Sequence, residues 1–255
     1  GVVEGAERVA RVWAHMAVNF ERGGSPAYAE IARGVVADAE LVGLVMSLPV
    51  GDKRQPNLLL GAVRYLGGPV SSFEVWRAFV VEQWERVAGV VMARSTQTNE
   101  VRRCATLLPV LARLPGPLAL IEVGASAGLC LYPDRYRYSF DGAVPLGAGS
   151  GPVLECATEG GVPVPERVPQ VVWRAGIDLN PLVAGDEGDV RWLEALIWPG
   201  EQERARRERL RGAAAVVAGE APVMVAGDLL EELPGVVARA PRGATVVVLH
   251  SAVGE

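Results

Sequence analysis

LIEVGASAGL, residues 120–129, decides how this chain is read. Apolar residues run into Glu122. Then comes Gly124-Ala125-Ser126-Ala127-Gly128, where no bulky side chain stands. Two chemistries share the pattern. As G-x-S-x-G it is the strained strand-to-helix turn that exposes a hydrolase nucleophile, here Ser126. As E-x-G-x-x-x-G after an apolar strand, it is the looser form of a loop that turns into a helix and lets a cofactor approach the backbone.

Chain order suits a hydrolase: Ser126, then an acid (Asp178 or Asp228), then His250. Two features oppose it. Several strands precede the nucleophile turn in that fold, whereas only helical patterns precede residue 120. The histidine should also lie in a loop, whereas His250 ends an apolar strand. No HGGG-like oxyanion loop lies upstream.

The binding-loop reading explains more residues. Gly124 and Gly128 bracket the turn, and Ala125, Ser126 and Ala127 are small. Glu122 sits in an apolar strand, where a carboxylate needs partners, so it is a candidate for the amino or ribose end of a cofactor. The strand in VVWRAGIDLNP ends at Asp178, placed to accept from ribose hydroxyls; PVMVAGD ends at Asp228 on the same carboxyl edge. Either aspartate could instead cap a following helix. The loop lacks a strict G-x-G-x-x-G, and Asp178 lies well beyond the usual offset. Both points favour S-adenosylmethionine, which has no pyrophosphate to cradle, over a dinucleotide.

Around this stretch the chain changes grammar. Residues 1–115 read as helices: Val9, Val12, Trp13, Met16, Ala17 and Phe20 recur at helical spacing, and Gly23-Gly24 stops that run. Ser25-Pro26, Asp38, Pro56 and Ser72 mark further starts, the last opening one long helix. A final helix is expected from about Thr98 to Arg113. From residue 116 to 255, apolar strands alternate with helical stretches, which predicts an α/β domain with a mostly parallel sheet. Residues 136–170, rich in Gly and Pro, read as a small inserted β-rich hairpin or lobe.

The 255 residues are half hydrophobic and carry a net charge of −5, enough for a sizeable core. Without clustered basic residues, a duplex-binding role is disfavoured. Cys104, Cys130 and Cys156 are widely spaced and not flanked by histidine, which argues against a disulfide framework or a metal site. No run has the length of a membrane span and no signal peptide is visible, so a cytoplasmic protein is expected. The chain starts at Gly1 and stops just after the apolar TVVVLHSAV; a C-terminal continuation is expected.

QTNE (97–100), LIEVGASAGL, DRYRY (134–138), GIDLNPL (176–182), ALIWP (195–199), GD (227–228) and VVVLHSAV (246–253) follow in this order. As a set they resemble the bacterial DUF2332 family over nearly the whole chain. That family in turn resembles class I S-adenosylmethionine-dependent methyltransferases in the first loop. The resemblance implies a Rossmann-like fold of that type behind an N-terminal helical lobe. Cys130 replaces a more usual Asn, and Pro133 should kink or shorten the helix after the loop.

The expected activity is methyl transfer to a small-molecule acceptor. The expected cofactor-binding residues are Glu122, Gly124, Ala125, Ser126, Gly128, Asp178 and Asp228. His250 or Glu100 would take a proton, and Gln97, Asn99 and Ser251 would contact the substrate. Each has a structural counterpart: a buried strand-end histidine, or a helix cap for residues 97–100. The DRYRY run is either an anion-binding strip or an ion-paired strand, and the Arg-rich 204–211 run reads as a solvated helix face. Two other functions fit the same pattern: a non-catalytic Rossmann-like nucleotide- or metabolite-binding protein, and a serine hydrolase built on residues 124–128.

Overall fold

The computed structural model describes residues 2–97 and 100–250. They form two compact units: Gly1–Gln97 with Arg191–Arg206, and Thr98–Val190 with Arg207–Glu255.

The first unit is helical. It contains α1 (Val2–Arg22), α2 (Pro26–Ala37), α3 (Ala39–Ser47), α4 (Pro56–Tyr65), α5 (Phe73–Glu82) and α6 (Trp84–Ala93). Val9, Trp13, Ala17 and Phe20 bury one stripe of α1, while Val12 stays largely exposed, so the stripe is narrower than the spacing suggests. The helix stops where Gly24 takes φ 75° and the Ser25 amide returns to the Phe20 carbonyl. Asp38 caps α3 by accepting from the Leu41 amide at 2.9 Å. Arg77 beside it holds the Asp38 carboxyl below its ordinary range. Ser72 caps α5 as expected, but the long helix predicted there breaks at Gln83 into α5 and α6.

The second unit opens with α7 (Arg103–Leu111) and carries β1 (Leu118–Val123), β2 (Arg137–Phe140), β3 (Val153–Cys156), β4 (Val171–Asp178), β5 (Val223–Ala226) and β6 (Thr245–His250). Between β4 and β6 the chain forms α8 (Glu187–Ala195), α9 (Glu203–Gly219) and α10 (Leu229–Val237). Strands β5, β4, β1 and β6, in that order, make one sheet, and every pairing is parallel. This is a mixed α/β architecture. All six residues of β1 are buried, as a central parallel strand requires. The chain steps from β1 out to β4 and β5, then returns to the other side of β1 with β6. The strand order therefore reverses between β1 and β6, and the carboxyl ends of all four strands share one edge. On one face, Val236, Leu229 and Leu233 of α10 pack against Ile121, Val123, Ala175 and Ile177.

One expectation, the short helix before Pro133, is sharpened, and one alternative, the hairpin, falls. The helix after the glycine loop is a single 3-10 turn, Leu129–Leu131. A continuing helix needs its carbonyls for later amides. Here Tyr136 Oη donates to the Leu129 carbonyl at 2.5 Å, and Arg174 Nη1 donates to that of Leu131 at 2.7 Å. Pro133 then follows in sequence. The insert is also not a hairpin: β2 and β3 pair in parallel, with one antiparallel bridge between Tyr138 and Leu146. The loop between them crosses back close to the chain, and a Cβ on Gly149 would meet the Arg135 carbonyl at 1.9 Å. Among the described residues, no helix is long and apolar enough to cross a membrane.

Candidate functional site

Strand alternation sets the site. Ile121 and Val123 point to the α10 face, so Glu122 between them points to the other. There it meets a cavity of about 290 Å3, lined by Arg103, Thr106 and Leu107 of α7, Cys130 of the 3-10 turn, and Leu249 and His250 of β6. Leu249 is Glu122's register partner and His250 is that of Val123. The cavity thus lies at the carboxyl edge, where the strand order reverses. Ligands of open α/β sheets bind in such crevices.

Glu122 is only 4% exposed, and its Oε2 has no hydrogen-bond partner. Burial pushes its carboxyl well above the ordinary range. Cys130 and Asp178 push it further, while the Arg103 guanidinium pulls it partly back. The neutral form is therefore favoured. A buried polar atom without a protein partner is costly, and a ligand group is one way to satisfy it.

The glycine loop is held from β4. Gly124 and Ala125 donate to the Ile177 carbonyl. Asp178 accepts from the Ser126 amide at 2.7 Å through Oδ2 and from the Asn180 amide at 2.8 Å through Oδ1. The loop winds through left-handed conformations at Gly124, Ser126 and Gly128, with φ of 71°, 54° and 73°. Gly176 makes this packing possible, since a Cβ there would lie 2.7 Å from the Ala125 Cβ. Ala125, Ser126, Ala127 and Gly128 are buried within the protein, and Gly124 is half-buried. The Ser126 hydroxyl is buried and has no hydrogen-bond partner, so no histidine activates it.

Asp228 caps α10 by accepting from the Leu230 amide at 2.7 Å. Glu100 accepts from the Arg102 amide at 3.0 Å and pairs with Arg209 at 3.2 Å. It does not line the cavity. Gln97 belongs to the helical unit. Asn99 and Ser251 lie outside the described residues. Within 134–138, Asp134 pairs with Arg174 at 2.8 Å, and Tyr138 donates to the Pro133 carbonyl at 2.6 Å. Arg174 also stacks over Tyr132, 4.5 Å from the ring centroid. That run forms an ion-paired scaffold for the turn, with Tyr136 and Tyr138 buried and Arg137 exposed. Among the described residues, no cluster of three or more His, Cys, Asp or Glu side chains could hold a metal ion.

Sequence reasoning missed Arg103, Thr106, Leu107 and Cys130. The signal was weak but present. Arg103, Thr106 and Leu107 lie three and four residues apart, so they share one face of α7.

No curated protein and no solved structure matches the chain. A family model described as an uncharacterized protein conserved in bacteria matches residues 10–255. That match spans nearly the whole sequence, and the chain belongs to the DUF2332 family.

Proposed function

We propose that this chain binds S-adenosylmethionine at the carboxyl edge of its parallel sheet and transfers the methyl group to a small-molecule acceptor, on a Rossmann-like scaffold of class I methyltransferase type. The observation that carries the proposal is the Glu122 carboxyl, buried, without a hydrogen-bond partner at Oε2 and lining a cavity at the strand-order reversal. The cavity's volume lies near the lower end for small-molecule sites.

The residues fit the cofactor. An orphaned carboxyl oxygen suits a ligand group that brings donors, so Glu122 would hold the amino or ribose end. Asp178 already fixes the loop, but a carboxylate has about four lone-pair sites, so it can also accept from a ribose hydroxyl. When bound, S-adenosylmethionine supplies an electrophilic methyl group. The chain's own work is positioning and exclusion of water. His250, at the end of β6 on the cavity, is placed to take a proton from the acceptor. Glu100, expected as an alternative base, is paired with Arg209 and does not line the cavity, so His250 is the base this reading uses. The buried and unpartnered Ser126 hydroxyl favours this reading over a serine hydrolase.

The test is equilibrium dialysis with methyl-labelled S-adenosylmethionine, followed by an acceptor screen. Retention at micromolar concentration is expected. A folded protein that retains no label contradicts the proposal.

A further inference from the structure

We infer that the cavity recognises the zwitterionic end of an α-amino acid, its ammonium at Glu122 and its carboxylate at Arg103. This deepens the proposal above and rests on reading this cavity as the ligand site.

An acid from β1 and a guanidinium from α7 enter one small chamber. One oxygen of the acid, Glu122 Oε2, is left without a hydrogen-bond partner, so the guanidinium does not reach it. Yet they are near enough for Arg103 to act on the Glu122 carboxyl. A carboxyl with one oxygen open and a guanidinium in the same cavity are complementary to a ligand bearing an ammonium and a carboxylate at short separation. Arg103 presents five donors in a planar fork, a geometry that matches a carboxylate. The Thr106 hydroxyl, three residues on, shares that helix face. Leu107 and Leu249 supply apolar wall for the carbon chain.

The charge bookkeeping selects against simpler ligands. A lone carboxylate meets Arg103 but leaves Glu122 unsatisfied. A lone amine meets Glu122 but must sit beside the guanidinium. A zwitterion answers both heads: its ammonium stabilises the ionised Glu122 carboxylate, whose proton is released to solvent. The other titratable groups in reach of Glu122 are Cys130, Asp178 and His250, and none of them is a fixed cation. Two sources carry this chemistry: the methionine end of S-adenosylmethionine, or a free amino acid.

The wild-type protein can be titrated calorimetrically with five ligands in two sets: S-adenosylhomocysteine against methylthioadenosine, which lacks the amino-acid end, and L-methionine against its methyl ester and its N-acetyl derivative. The inference expects S-adenosylhomocysteine to bind at least roughly tenfold tighter than methylthioadenosine. Arg103→Gln should narrow that gap, and Arg103→Lys should restore part of it. Tight binding of L-methionine, weakened by masking either charge, with no binding of the adenosyl compounds, would uphold the amino-acid site and sink the methyl-transfer reading. Equal affinity for S-adenosylhomocysteine and methylthioadenosine would overturn the inference and leave that reading intact. A failure of every amino-acid ligand to bind would also overturn it.

Discussion

Replacing Glu122 with Gln should make the protein's stability less dependent on pH, with a sign fixed by the site. Glu122 is 4% exposed, and its Oε2 has no hydrogen-bond partner. Burial dominates, Cys130 and Asp178 add to it, and Arg103 offsets only part. Its folded pKa therefore stands above the unfolded value, about 4.3. Between those two values the unfolded chain has lost the proton and the folded chain keeps it, so stability falls as pH rises. The slope is about 1.4 kcal/mol per pH unit. The contribution is full below pH about 4.3 and is gone above the folded pKa. Gln has nearly the same shape and cannot ionise. His250 is present in both proteins and cancels in the difference. The assay is urea unfolding at several pH values from 5 to 8. It is read by fluorine NMR of 5-fluorotryptophan at Trp173, the one tryptophan of the sheet unit. Stability of Glu122→Gln minus that of wild type should grow with pH at up to the stated slope. A flat or shrinking difference would refute the reasoning.

Asp178→Ala strands the Ser126 and Asn180 amides. A loss of at least about 2 kcal/mol is expected, with faster hydrogen exchange at the Ser126 amide. Gly176→Ala puts a Cβ 2.6 Å from the Met224 sulfur and 2.7 Å from the Ala125 Cβ. Overpacking should cost about 1–3 kcal/mol, seen as a lower Tm. A fluorophosphonate probe should leave Ser126 unlabelled, because its hydroxyl is buried and has no hydrogen-bond partner. Labelling that Ser126→Ala abolishes would reverse the ranking of hydrolase and transferase.

The strands were legible because central parallel strands are mostly apolar: only Glu122 interrupts Leu118–Val123, and only Arg174 and the terminal Asp178 interrupt Val171–Asp178. Their carboxyl edge followed directly, with Glu122, Asp178, Asp228 and His250 along it. The helix after Gly128 was legible only in part: Pro133 marked it as kinked or short, but not as a single 3-10 turn. Tyr136 and Arg174, distant in sequence from one another, take its carbonyls, and pattern alone does not reveal that competition. The parallel pairing of β2 with β3 also escaped, since two strands of four residues each carry too short a pattern to fix their partner or direction. The cavity was half visible. Glu122 stood out as a charge in an apolar run, whereas Arg103 and Thr106 look like ordinary residues of a helix start. Only the fold brings α7 to the face opposite α10. Asp228 shows the limit of edge reasoning: its position was right, and its carboxylate serves the Leu230 amide.

The central claim is that the cavity at Glu122 is a ligand site. Its most direct test is calorimetric titration with S-adenosylmethionine of the wild type, Glu122→Gln and Asp178→Ala, each first shown to be folded. The account predicts micromolar binding by the wild type and at least roughly tenfold weaker binding by Glu122→Gln. Binding that Glu122→Gln leaves unchanged, or no binding by the folded wild type, would contradict it.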